Sequence, residues 1–276
     1  LNINVLCRLT LLFIAVSSCD IIQEPYLETD NSMNSNSRKV LLEEFTGHQC
    51  PNCPAGAATA SKLQEFYGDK CIIISYHAGF YARTSSTFPV DYRTTEGAEL
   101  DAFFKVPYYP SGMINRTNSN NTNVLGPVDW SELMASQMKN KPEVSIQITS
   151  DYNNQGRALQ TTVKVKALRE INYRAYLSVY LTEDNLVSPQ SISGDPSYPS
   201  GIIKDYKHMH VFRTSLNGTW GEPVFETGSP VSGEKAFLFT KILDEKYEPE
   251  NCHIIAFVYK ENDKTILQAE SVKVIK

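Results

Sequence analysis

Two cysteines with two residues between them, preceded by an apolar run and followed by a helix-forming run, restrict this chain more than any other feature. Val40-Leu41-Leu42-Glu43-Glu44-Phe45 reads as a buried strand, Ala55 to Tyr67 reads as a helix, and Cys50-Pro51-Asn52-Cys53 lies between them. A strand that feeds a helix through such a turn belongs to a layered α/β structure, and the cysteine pair at the junction has the layout of a redox site. The first cysteine falls at the helix N-terminus, where unpaired N–H groups and the helix dipole favour a thiolate. The second lies one turn further in, within reach of a mixed disulfide. Cys50 is thus expected as an exposed nucleophile and Cys53 as the resolving thiol. Pro51 in the first turn costs little, because its missing N–H would have been unpaired anyway.

Of the 276 residues, 41% are hydrophobic and 21% charged, enough to build real cores. A formal charge of -5 leaves no basic footprint for nucleic acid. Leu9 to Val16 is an apolar run too short to span a bilayer comfortably, preceded by Arg8 and followed by Ser17-Ser18-Cys19. Val16-Ser17-Ser18-Cys19 resembles a bacterial lipobox, whose cysteine receives the lipid and becomes the new N-terminus; the other reading is an ordinary secretory signal with an incidental cysteine. On the lipobox reading, residues 1–18 are removed, Cys7 among them, and Cys19 attaches the protein to a membrane. Residues 19–38 are then a tether, since their polar, patternless composition cannot bury enough surface to order itself. Cys71 and Cys252 each begin an apolar strand. They are either buried free thiols or a bridge, and spacing alone does not choose.

Strand and helix signals alternate over residues 39–140. A strand is expected at Cys71–Tyr76, a short helix at Glu96–Phe104, a strand from Gly112 and a closing helix from Asp129 to Met138. From residue 141 the helix signal vanishes. Val144–Thr149, Leu159–Lys166, Tyr176–Leu181, Ala236–Thr240 and Ile254–Tyr259 have strand character with polar turns between, the pattern of an antiparallel β-sandwich over 141–276. Ser188–Ser200, rich in Ser and Pro, reads as an irregular surface loop.

The N-terminal half resembles the thioredoxin plan. Glu44 stands six residues before Cys50, where thioredoxins bury the acid that accepts a proton from the inner thiol, although Glu43 beside it leaves open which of the two points inward. Tyr109-Pro110-Ser111 resembles their cis-proline loop, which implies Pro110 as a site residue and Tyr109 and Ser111 as substrate contacts. Gln49 departs from the tryptophan usual before the first cysteine.

Glu43-Glu44-Phe45-Thr46-Gly47-His48-Gln49-Cys50-Pro51-Asn52-Cys53-Pro54 is similar to the signature of the outer membrane protein 28-related lipoproteins of Bacteroides-type bacteria. The likeness continues at Tyr109–Ser111, Leu181–Asp184, Tyr206–Arg213 and Ala256–Tyr259. It implies a lipid-anchored envelope protein with a thioredoxin-like domain followed by a β-sandwich. Two functions compete: thiol–disulfide exchange on cysteine-containing proteins, and surface binding or adhesion in which the cysteine pair only staples a scaffold. No cofactor is implied. His208 and His210, two apart in an expected strand, would share one face and form a weak candidate metal pair. Phe80, Tyr81, Phe88, Tyr92, Tyr108 and Tyr109 either line a recognition groove or pack the insert onto the domain.

Overall fold

β1 (Val40–Thr46) is buried along its whole length because both of its faces are covered, and that double burial organises the fold. In this computed structural model, which describes residues 37–275, β1 runs through the cysteine turn into α1 (Cys53–Tyr67). The chain returns as β2 (Cys71–His77), parallel to β1. After α2 (Thr95–Phe104), β3 (Ser111–Ile114) pairs antiparallel to the other edge of β1, and α3 (Trp130–Met138) follows. The rest is mostly strand: β4 (Val144–Asn153), β5 (Ala158–Ala167), β6 (Ala175–Glu183), β7 (Leu186–Ser191), β8 (Ile202–His208), β9 (Val211–Ser215), β10 (Glu222–Phe225), β11 (Glu234–Ile242), β12 (Cys252–Lys260) and β13 (Ile266–Lys273).

One sheet runs β13-β12-β6-β9-β2-β1-β3, with β10 also paired to β6. Its two ends approach each other. The Ile266 N–H donates to the Asn115 carbonyl at 2.9 Å, and Lys39 Nζ lies 2.6 Å from Glu270. The sheet therefore curls around an interior that holds Leu41, Phe45, Tyr76, Tyr180, Phe212 and Phe257. Because side chains alternate across a strand, β12 serves two cores at once: Ile255, Phe257 and Tyr259 face this interior, while Ile254, Ala256 and Val258 face a second core under the sheet β11-β5-β4. On the outside of β1–β3, Val40, Leu42, Ile73 and Ile114 pack against Ala60 and Leu63 of α1 and Trp130 and Met134 of α3. Each fully buried large side chain of this kind contributes roughly 1.5–3 kcal/mol.

The break expected between residues 140 and 141 is absent from the sheet. Strands from both sides of that position lie in one hydrogen-bonded array, and the described residues belong to one compact unit. The join is narrow: Ser75 pairs with Val211, and its N–H donates to the His210 carbonyl at 2.8 Å. The C-terminal strands do supply a two-layer packing, but one of its layers is shared with β1–β3. Ser188–Ser200 also departs from the sequence reading. Its first residues belong to β7, which pairs with β8 as a separate two-stranded hairpin. The composition hides this because the buried positions of β7 are polar: Ser188 is 5% and Gln190 2% exposed. The expected leader, Cys7, Cys19 and most of the expected tether lie outside the described residues.

Candidate functional site: a covered disulfide backed by a buried carboxyl

Alternation along β1 decides the roles of its two acids. Val40 and Leu42 face α1, so Glu44 faces α1 as well, while Leu41, Glu43 and Phe45 face the interior. Glu44 ends behind the cysteine turn. Its Oε2 accepts a hydrogen bond from Ser75 Oγ at 3.1 Å, and its Oε1 has no partner among the described residues. Burial raises the carboxyl to about 7, against a smaller lowering by the Ser75 hydroxyl. Gly56 of α1 lies between this carboxyl and Pro110. A Cβ at Gly56 would lie 2.7 Å from Pro110 Cβ and 3.2 Å from Glu44 Oε1, so this residue lets the helix pass between the two.

Cys50 and Cys53 are joined by a disulfide, with Cα atoms 5.4 Å apart. α1 begins at Cys53, so Cys50 sits in the turn before it; the Cys50 N–H donates to the Gly47 carbonyl at 3.0 Å. Cys50 is 1% and Cys53 2% exposed. The exposed nucleophile expected from the sequence is therefore corrected: the pair is covered. The cover is β7 and the loop after it. Ser191 N–H donates to the His48 carbonyl at 2.7 Å and Ser193 N–H to the Pro51 carbonyl at 3.0 Å. Gln190 Nε2 donates to the Cys50 carbonyl at 2.9 Å. Beneath the hairpin, Glu44, Cys53, Ser75, His77, Gln190 and Tyr206 help to enclose a cavity of about 20 Å³, the size of roughly one water molecule.

The Tyr109–Pro110 peptide is cis, and Pro110 is buried against α1. Ser111 is fully buried with its hydroxyl donating to the Tyr108 carbonyl at 2.7 Å, so it is not presented to a substrate. Tyr109 donates its hydroxyl to Asp101. Of the candidate groove aromatics, Phe88 and Tyr92 are buried, while Phe80, Tyr81 and Tyr108 remain exposed.

His208 and His210 do not share a face. β8 ends at His208, and His210 takes a left-handed turn with φ of 56°. His208 points into a buried cluster, its ring 5.3 Å from His77 and 5.2 Å from Tyr92, and its Nε2 pairs with the Ser188 hydroxyl at 2.9 Å. His48 joins this cluster, stacked on Phe88 at 5.3 Å and tied to the Arg83 carbonyl at 2.9 Å. His210 turns the other way, to Asp184 at 3.3 Å, which also holds His253 at 3.6 Å beside a separate cavity of about 280 Å³. No three His, Cys, Asp or Glu side chains among the described residues converge on a metal position. Cys71 and Cys252 are free thiols in different cores, which removes the bridge between them.

Ser75, His77, Gln190 and Tyr206 were not singled out from sequence. His77 ends an apolar strand, a signal that was available; Gln190, in a Ser/Pro-rich run, carried none.

The fold and the site together define a strand-rich α/β protein with a sealed cysteine pair between a strand and a helix and an ionisable carboxyl behind it. Residues 98–276 match the family model of outer membrane protein Omp28, and the chain belongs to that family, which places it in the outer membrane of the cell envelope. Its structure is similar to HBP35 of Porphyromonas gingivalis, at 19% identity over 87% of this chain and 76% of that one, with a TM-score of 0.65. It also resembles a protein from Agrobacterium tumefaciens, at 11% identity over 87% of this chain and 96% of that one, with a TM-score of 0.52. Both likenesses concern the fold alone. No curated protein matches the sequence.

Proposed function

We propose that this chain is a lipid-anchored envelope protein in which residues 39–140 form a thioredoxin-like unit, built into the larger sheet, that exchanges disulfides with cysteine-containing proteins. The observation that carries the reading is Glu44. A stapling disulfide needs no carboxyl behind it, and burying one with an unpaired oxygen is costly. A carboxyl held near pH 7 beside the inner cysteine is what proton transfer to a leaving thiolate requires.

From the oxidised pair, a substrate thiolate attacks Cys50 Sγ and forms a substrate–Cys50 disulfide. The Cys50–Cys53 bond breaks, and the Cys53 thiolate leaves and takes the proton held by Glu44. A second substrate thiolate then attacks the substrate's own sulfur in the mixed disulfide and releases Cys50 as a thiolate. The substrate dithiol is oxidised to a disulfide and the cysteine pair is reduced. Cys19, at the end of its lipobox-like sequence, is the membrane attachment in this reading.

Burial of both cysteines favours the competing reading, a binding or adhesion protein on a stapled scaffold. Trapping separates the two. The exchange runs in both directions. In Cys53→Ser the free Cys50 thiolate attacks a substrate disulfide, one substrate thiolate leaves, and the mixed disulfide accumulates because no Cys53 thiol displaces it; Cys50→Ser should accumulate none. If no partner is trapped and the pair resists reduction at the envelope's potential, the scaffold reading stands. Cys19→Ala should release a soluble, folded protein from membranes.

A further inference from the structure

β7 is an unusual edge. Its residues alternate between two partners: Ile192 N–H, just past the strand, donates to the Gly201 carbonyl within the hairpin at 2.9 Å, whereas Ser191 and Ser193 donate to His48 and Pro51 in the cysteine turn. An extended segment with N–H groups at alternate residues is thus seated on the backbone carbonyls flanking Cys50. One amide side chain, Gln190, is inserted beside it, bonded to the carbonyls of Cys50 at 2.9 Å and Gly47 at 3.3 Å. This is how a bound peptide adds to a free backbone edge, with main-chain bonds along the edge and a side chain in a slot. Among the described residues the hairpin pairs with no strand outside itself, so it can lift without unzipping either larger sheet.

We infer that β7 and the residues after it are a built-in occupant of the polypeptide-docking edge of the cysteine site, and that Cys50 reacts with a chain that takes their place. The substrate class is then an extended polypeptide segment carrying thiols. It offers alternate N–H groups to the carbonyls of His48 and Pro51 and an amide or similar donor to that of Cys50. The inference rests on the exchange reading for its biological use, but the docking edge and its occupant are testable without turnover.

Two substitutions loosen the occupant without touching the cysteines. Ser191→Pro deletes the N–H that reaches His48 and spares the hairpin's own bond at Ile192. Gln190→Ala, the milder change, removes the inserted donor. The first measurement is the rate at which excess dithiothreitol reduces Cys50–Cys53 in the native protein. Each variant should be reduced about three- to tenfold faster than wild type, as expected for the loss of one or two hydrogen bonds from the closed state. The second is binding of a labelled, cysteine-free peptide copying residues 186–195. Its apparent affinity is scaled by the fraction of open protein, so it should rise about as much as the reduction rate. Unchanged reduction in both folded variants overturns the inference, as does failure of the peptide to bind variants that are reduced faster. A dithiol peptide assayed alongside reports separately on exchange: if it is never oxidised while both other measurements move, the docking edge stands and the exchange reading falls.

Discussion

Glu43 and Glu44 are consecutive in β1 and face opposite sides of the sheet. Glu43 accepts hydrogen bonds from Arg116 Nε at 2.6 Å and Nη2 at 2.7 Å inside the curl, while Glu44 accepts one from Ser75 at 3.1 Å on the helix side. One acid is fully compensated and the other is left ionisable. The period of a strand thus sets two neighbouring acids in different surroundings.

Glu44→Gln keeps an acceptor for Ser75 and removes the titration. Glu44 is raised from 4.5 to about 7 by burial, so the folded protein retains a proton that the unfolded chain has lost. Its contribution to stability is fully present below pH 4.5 and is lost as pH rises through 7. The variant should therefore exceed wild type in stability at pH 8 by about 3 kcal/mol and match it near pH 4. Urea unfolding at the two pH values measures this. Equal effects at both pH values would show that Glu44 is not held protonated.

Arg116 should be among the least replaceable residues. It and Glu43 are fully buried, and the guanidinium lies 5.2 Å from the Phe104 ring centre and 5.1 Å from that of Phe257. Arg116→Ala leaves the Glu43 carboxylate buried without its cation, at a cost of about 3–5 kcal/mol. Glu43→Gln combined with Arg116→Met should recover much of that loss, because both charges leave together. If the double variant is no better than Arg116→Ala in urea, packing rather than charge holds this site.

The sequence pattern made β1, α1, β2 and the turn between them legible, because apolar period, helix propensity and cysteine spacing agree there. It also pointed to Glu44, and the packing of Val40 and Leu42 against α1, with Glu43 paired to Arg116 on the other face, settles which acid faces the helix. It did not reveal the cover. β7 buries Ser188 and Gln190, so its polarity pattern is the inverse of an ordinary strand, and its bonds to His48 and Pro51 are made by backbone groups that every residue carries. His208 and His210 depart from the expected shared face for a related reason. Two-residue spacing shares a face only while the strand continues, and His210 lies beyond the end of β8 in a left-handed conformation.

A fragment of residues 141–276 should not behave as an independent domain. It would present Tyr180, Phe212 and Phe257, which the intact fold buries against Phe45 and Tyr76. Size-exclusion chromatography should find it aggregated or ANS-binding. A monodisperse fragment with cooperative unfolding would show that the C-terminal strands close a core by themselves.

Cys71 and Cys252 should be silent towards thiol reagents in the native protein. Burial pushes both thiols up to about 12, so almost no thiolate exists at pH 8. After reduction, peptide mapping should find alkylation first at Cys50 and at Cys71 and Cys252 only once the protein is denatured. Early labelling of Cys71 would mean that the α1 side of the sheet opens before the hairpin does.

The imidazoles under the hairpin make the closed form sensitive to acid. His208 is lowered from 6.5 to about 4, first by burial and then by the charge of His48, and His77 is driven well below its ordinary value by burial and by His208 and His48. For a depressed histidine the unfolded chain binds the proton first. Stability is thus complete above pH 6.5 and falls as pH drops towards 4, by about 3 kcal/mol for His208 alone. His208→Gln preserves a partner for the Ser188 hydroxyl and cannot be charged. It should match wild type at pH 7.5 and be more stable at pH 4.5, flattening the acid limb of a stability–pH profile. A parallel limb in the variant would place the acid sensitivity elsewhere, with His77 the next residue to replace.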